Sequence, residues 1–162
     1  MVFSLITLLN VTNDNYTKIK VNLMLSFNCK SCENDLKRSL YEDKYFETYV
    51  KNKGWVQSFI QTRSKKKTTY SITLRKPIFK IKNNIYYDQN FNQFFIPHKF
   101  NLPTLHIKKD DLKDEIINQA QLIKKELINL KSLNYSNLSG WQIITDKAIV
   151  KLGKVDIGER VK

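Results

Sequence analysis

Polar and apolar residues alternate at the start of Lys18-Ile-Lys-Val-Asn-Leu-Met-Leu-Ser-Phe27, the period of a strand with one buried face. The period then changes. Between Ser31 and Tyr41 the apolar positions Leu36 and Leu40 stand four apart, and Ser31 with Asp35 supplies a helix start, so a helix is predicted there. A second, short helix is expected over Tyr45–Lys53. Gly54 follows where a helix commonly ends in a left-handed residue. Trp55–Arg63 and Thr68–Leu74 are rich in β-branched and aromatic residues and read as two strands joined by the polar stretch Ser64–Lys67. Tyr70, Ile72 and Leu74 fall on one face of the second strand. Pro77 closes the run, because proline cannot donate within a central ladder. The predicted order is β-α-α-β-β.

Alternation resumes at Ile78–Lys82, breaks at the turn pair Asn83-Asn84, and continues through Ile85–Tyr87. Asp88–Asn92 reads as another turn, Gln93–Ile96 as a short strand, and Phe100–Leu105 as extended chain carrying Pro103. From Asp110 to Leu130 the residues Leu112, Ile116, Ala120, Ile123, Leu127 and Leu130 recur at three and four, which predicts one long amphipathic helix. Asp110 and Asp111 stand at its positive end. Trp141–Leu152 reads as a hairpin turning at Asp146-Lys147, and Gly153–Lys162 as the opening of a further helix. The expected fold class is α+β: a β-α-α-β-β module over residues 17–77, then an antiparallel β domain with one long amphipathic helix over 78–162. Residues 1–16 form an apolar N-terminal segment. Its core, Met1–Val11, is shorter than the ~20 residues of a spanning helix. It reads as a first core element or as the remnant of a membrane anchor.

Composition narrows the function classes. The 162 residues are 41% hydrophobic and 27% charged, so a core can form and global disorder is not expected. Lys plus Arg exceed Asp plus Glu by 28 to 15, a net charge of +13, but only four of the 28 are Arg. A nucleic-acid groove concentrates Arg, whose planar fork binds phosphate and guanine in two places at once. Lys spread among Asn reads as compositional bias, and nucleic acid is kept as an alternative partner rather than the expected one.

Candidate chemistry is sparse. No dinucleotide, P-loop, zinc-protease or nucleophile-elbow motif is present. His98 and His106 lie near Pro residues on extended chain without acidic neighbours at helical spacing. Asp110-Asp111 has a helix-dipole reason, and Asp88 a turn reason. Tyr86, Tyr87, Phe91, Phe94 and Phe95 offer either a base-stacking surface or one buried sheet face with a few exposed rings. Lys65-Lys66-Lys67 reads as a solubilising hairpin tip. Cys29 and Cys32 form a C-x-x-C pair open to a structural role, a local disulfide, redox work or half a metal site. A thioredoxin-like strand-then-helix setting is not read around them. No enzyme, no cofactor, no metal and no small-molecule substrate are expected. A chain of this profile works by offering a sheet edge to which a partner adds a strand.

The order of local signals resembles the extracytoplasmic part of the bacterial cell-division protein family FtsQ (DivIB). Four segments carry the likeness: Phe46–Val56 ending Lys53-Gly-Trp-Val56; Phe59–Arg63 with Tyr70–Pro77; Ile85–Asn90 with Asn101–Leu105; and Gly140-Trp-Gln-Ile143 with Ala148–Gly153. The resemblance implies a polypeptide-transport-associated (POTRA) module at 17–77 and an FtsQ-like β domain from 78 onward, C-terminally incomplete, since the family's final edge strands would fall beyond Lys162. It implies a non-enzymatic divisome scaffold at the cytoplasmic membrane, its bulk on the periplasmic side and its anchor N-terminal. The implied partners are other septal membrane proteins, FtsB and FtsL among them. The candidate partner-binding edge is Lys147, Ala148, Ile149, Val150, Lys151 and Leu152. The alternatives are a basic nucleic-acid-binding domain and a POTRA module of an outer-membrane assembly factor.

Overall fold

The computed structural model describes residues 4–12, 18–42, 45–64, 67–154 and 156–160. The fold is α+β, and the chain divides into two compact units. The first comprises residues up to Lys76 together with Phe94–Lys99. The second comprises Pro77–Gln93 and Phe100–Lys162.

In the first unit, β1 (Ser4–Thr12) pairs antiparallel with β2 (Lys18–Leu25). The apolar N-terminal segment thus contains a strand from Ser4, and residues 1–3 and 13–17 lie outside the described ones. Then come α1 (Lys30–Glu42), α2 (Phe46–Lys51), β3 (Val56–Ser64) and β4 (Lys67–Leu74). The β-α-α-β-β order runs from β2 to β4. The strands lie in the order β1-β2-β4-β3, with β2 parallel to β4 and β3 antiparallel to it. A parallel neighbour requires a crossover, and α1, α2 and β3 are that crossover. Val21, Leu23 and Leu25 of β2 and Ile72 and Leu74 of β4 are buried at alternate positions. They share the core with Leu36 of α1, Val50 of α2 and Trp55. Phe46 reaches the sheet edge-on, 6.2 Å from the Phe59 ring and 4.9 Å from Tyr70.

Two local expectations change. Gly54 is not left-handed. α2 ends through Asn52, itself in the right-handed region, whose N–H bonds Thr48 at 3.1 Å while Lys53 bonds Val50 at 3.0 Å. The carbonyls are satisfied by tightening the last turn, so no reversal is needed. The cysteine pair does have a strand-then-helix setting: β2 precedes it, Cys29 directly precedes α1 and Cys32 lies in the first turn of that helix. Cys29 and Cys32 are disulfide-bonded, and both are buried (1% and 0% exposed). Shielded from solvent at the β2–α1 corner, the bond presents no sulfur for an incoming thiolate to attack.

The second unit holds β5 (Phe79–Lys82), β6 (Ile85–Tyr87) and β8 (Thr104–His106), followed by α3 (Asp114–Glu126); β7 (Gln93–Phe95) has Gln93 in this unit and Phe94 and Phe95 in the first. β9 (Leu130–Ser136), β10 (Gly140–Thr145), β11 (Ile149–Gly153) and α4 (Ile157–Arg160) complete it. The strand order is β11-β10-β9-β8-β5-β6-β7. An antiparallel sheet was expected; the sheet is mixed, because β8 lies parallel to both β5 and β9. The connection from β8 to β9 is the crossover helix α3, which a parallel pair needs and a hairpin loop cannot supply.

The long helix is shorter than its periodicity predicts. Lys109–Asp111 forms a single 3-10 turn, Leu112 and Lys113 leave helical geometry (ψ 81° and 158°), and α3 begins at Asp114. At the far end, Leu130 belongs to β9. Lys131 is an extra residue where the β9–β10 register shifts, Thr145 facing Leu130 and Ile144 facing Ser132. That bulge turns Leu130 and Leu133, three apart, both inward. Leu130 also stands three after Leu127, a helical spacing, which is why the periodicity runs on to it past the end of α3 at Glu126. Ile116, Ala120 and Ile123 of α3 pack in a core with Phe79, Leu105, Leu133, Trp141 and Ile143.

One close approach locks the end of the sheet. A Cβ on Gly140 would stand 2.1 Å from the carbonyl carbon and oxygen of Gly153, and Gly140 is left-handed (φ 74°). Gly140→Ala should therefore cost about 3 kcal/mol, read as a lower denaturant midpoint. Gly158→Ala, where the new Cβ would meet only Leu122 at 3.7 Å, should change stability by less than about 1 kcal/mol.

Candidate partner-binding edge

Strand β11 terminates the second sheet, paired on one side with β10. Its register sets Ile149 opposite Ile144, Val150 opposite Ile143 and Lys151 opposite Gln142. The ladder then shifts, so that Trp141 faces Gly153 and Leu152 is the additional residue. Leu152 turns inward (5% exposed), while Ile149 is 65% and Val150 43% exposed. Val150 neighbours the buried Ile143, so the apolar core runs out to the strand at the rim without a further layer over it.

Fixed groups hold this rim. The Trp141 indole N–H donates to Gln119 Oε1 of α3 at 2.7 Å, and its ring packs 5.0 Å from Tyr135. The Arg160 guanidinium donates to the Leu152 carbonyl, so the chain after β11 folds back on the bulged end. Buried Ile157 pins that return. Asp111, expected at a helix N-terminus, instead accepts a hydrogen bond from Asn137 in the β9–β10 turn. Burial, helped by the negative charges of Asp111 and Glu115, raises the Tyr135 phenol above its ordinary value.

Of the six residues expected at the edge, Ile149, Val150, Lys151 and Leu152 lie on β11. Lys147 and Ala148 lie in the turn before it, where the Thr145 hydroxyl accepts their N–H groups at 3.3 and 3.1 Å. Those two N–H groups are therefore already engaged.

The other residues singled out in the sequence do not converge. His98 falls in the first unit and His106 in the second. Among the described residues no three His, Cys, Asp or Glu are grouped to hold a metal. Asp88 accepts the N–H groups of Asn90 and Asn92, each at 2.9 Å, as a turn aspartate does. Tyr86, Tyr87, Phe91 and Phe94 are buried, leaving Phe95 as the exposed ring of the five. Lys65 and Lys66 lie outside the described residues. No protein-family model and no curated protein matches the chain.

A charge cluster that the sequence did not announce lies in the first unit. Asp35 of α1 accepts the Tyr49 hydroxyl at 3.0 Å and pairs with Lys53 at 3.1 Å, and the Lys53 ammonium lies 4.1 Å from the Tyr49 ring centre. The signal was distributed over three elements, and no periodicity links them. Burial alone would lower the Lys53 pKa, but the hydrogen bonds and negative charge of Tyr49 and Asp35 outweigh it and raise the pKa above 10.5. A raised folded-state pKa gives stability that is full below the unfolded value and lost as pH climbs through the folded one. Asp35→Asn should thus cost about 1 kcal/mol at pH 7, since Lys53 is partly exposed. The gap to the unaltered chain should narrow at pH 11 in urea titrations. An unchanged gap would show that the pair carries no such linkage.

Proposed function

We propose that this chain is a non-enzymatic cell-division scaffold of the FtsQ/DivIB kind, which holds septal membrane proteins by pairing a partner strand to β11. The reading takes the first unit as the POTRA-like module and the second as the β domain. It places the bulk of the chain outside the cytoplasmic membrane, attached through an N-terminal anchor. Among the described residues no helix is long and apolar enough to cross a membrane; attachment is part of the proposal.

One observation carries it: Ile149 and Val150 are exposed on a terminal strand whose register with β10 is fixed. Terminal strands in soluble proteins are usually blunted by charges, proline or a covering loop. Here Lys151, directly after the apolar pair, is the one charged residue of β11, and Arg160 engages the Leu152 end. An added strand would complete the main-chain ladder and cover both side chains. The resemblance carried by Gly140–Ile143 and Ala148–Gly153 falls on this same hairpin.

The test is co-purification with FtsB/FtsL-type membrane proteins from cells that express the chain. Ile149→Lys combined with Val150→Lys should reduce recovery at least about tenfold. The melting temperature should shift by no more than a few degrees, because both side chains are exposed. Undiminished recovery would remove β11 as the binding edge.

A further inference from the structure

A second recognition surface lies on the first unit, independent of β11. It is a groove of about 660 Å³ lined by α1, by the α2–β3 connection, and by Phe95 at the end of β7 with Pro97 just after it. Ser31, Asn34, Asp35 and Arg38 recur at three and four along α1 and line it, on the side of the helix flanking the buried stripe Cys32, Leu36 and Ser39. Buried Trp55 forms part of its lining, and so does Phe95, 55% exposed. At Gly54 nothing lies within 4 Å of where a Cβ would stand, so the lining opens there.

The charges in this groove are unevenly committed. Lys53 is spent on Asp35 at 3.1 Å. Arg38 approaches Asp35 only to 3.7 Å, and its side chain is 69% exposed. Strong guanidinium–carboxylate pairs lie at ~2.7–2.9 Å and use two donors, so most of the Arg38 fork remains to be used. The charged lining is Arg38 and Lys53 against Asp35, a surplus of one positive charge. That surplus suits a monoanionic carboxylate. A phosphate dianion would meet the Asp35 carboxylate with Lys53 already taken. The exposed Phe95 ring beside Pro97 supplies an apolar wall in the same groove.

We propose that this groove binds an acidic peptide segment of a partner protein, a Glu or Asp carboxylate on the Arg38 fork and an adjacent apolar side chain against Phe95. Asn34 and Asn52 at the rim offer amide groups to the peptide backbone. Side-chain chemistry, rather than a sheet edge, would give this contact its specificity.

Fluorescence anisotropy with a labelled peptide, Gly-Glu-Phe-Glu-Leu-Gly with blocked ends, tests this on the full chain. Arg38→Gln should weaken binding at least about fivefold, and Phe95→Ala at least about threefold. Replacing both Glu of the peptide by Gln should abolish binding. Lys82→Gln, which removes an exposed charge in the second unit, should leave affinity unchanged. Equal binding of the Gln peptide, equal affinity in the Arg38 and Phe95 variants, or an equal loss in the Lys82 variant would overturn the proposal. Tighter, Arg38-dependent binding of an oligothymidylate would overturn it in favour of nucleic acid. None of these outcomes bears on β11, so this proposal and the edge proposal fail separately.

Discussion

Two backbones approach at Gly140 and Gly153 more closely than any side chain permits. Both residues are left-handed, with φ of 74° and 77°. The approach joins the first residue of β10 to the last of β11, and it leads from the strand into α4. Ile157 is then carried into the core and Arg160 back to the Leu152 carbonyl. The open length of β11 is thereby confined to Ile149–Lys151. A Cβ at Gly140 would push the strands apart at the point where Trp141 enters the core. The rim would then lose both its register and its support from α3 through Gln119.

The strands with clean alternation were legible from sequence, as were the turns built on Asp88 and on Asn83, which takes φ 48°. The turn at Asp146-Lys147 and the β-α-α-β-β order were legible too. Two kinds of feature were not. The end of α3 was one, because Leu130 of β9 keeps the three-residue spacing from Leu127 and so extends the helical pattern into a strand. Parallel pairing is set by where α3 delivers the chain, and nothing local to Thr104–His106 distinguishes a parallel neighbour from an antiparallel one. The edge was legible as a segment, since a terminal hairpin with Ile149 and Val150 stands out. The engagement of Lys147 and Ala148 by the Thr145 hydroxyl was not, because it depends on the turn closing.

The groove on the first unit was invisible for a different reason. Asp35, Tyr49 and Lys53 come from α1, α2 and the connection after it, and Phe95 from a segment some forty residues further on. Each has an ordinary local explanation: a helix-start acid, an exposed aromatic, a basic residue in the last turn. Only the folded chain sets two cations beside one acid and next to an exposed ring. Edge pairing through main-chain groups is permissive, because every strand offers the same ladder. A groove that read one charge and one ring, as proposed, would discriminate between strands that the ladder cannot tell apart.

The large positive charge acquires a different meaning once its placement is known. Lysines are spent singly: Lys37 on Glu33, Lys51 on Glu47, Lys131 on Asp146, and Lys124 on the Ile78 carbonyl. These are short-range pairs, mostly exposed, and each contributes little. Two of the four arginines stand where a fork of donors matters, Arg160 on the carbonyl that ends β11 and Arg38 in the groove. A polyanion surface would need cations gathered along a track with their donors uncommitted. On the proposed reading, the directional donors Arg160 and Arg38 would serve a strand end and a recognition groove, contacts of the kind a protein partner makes.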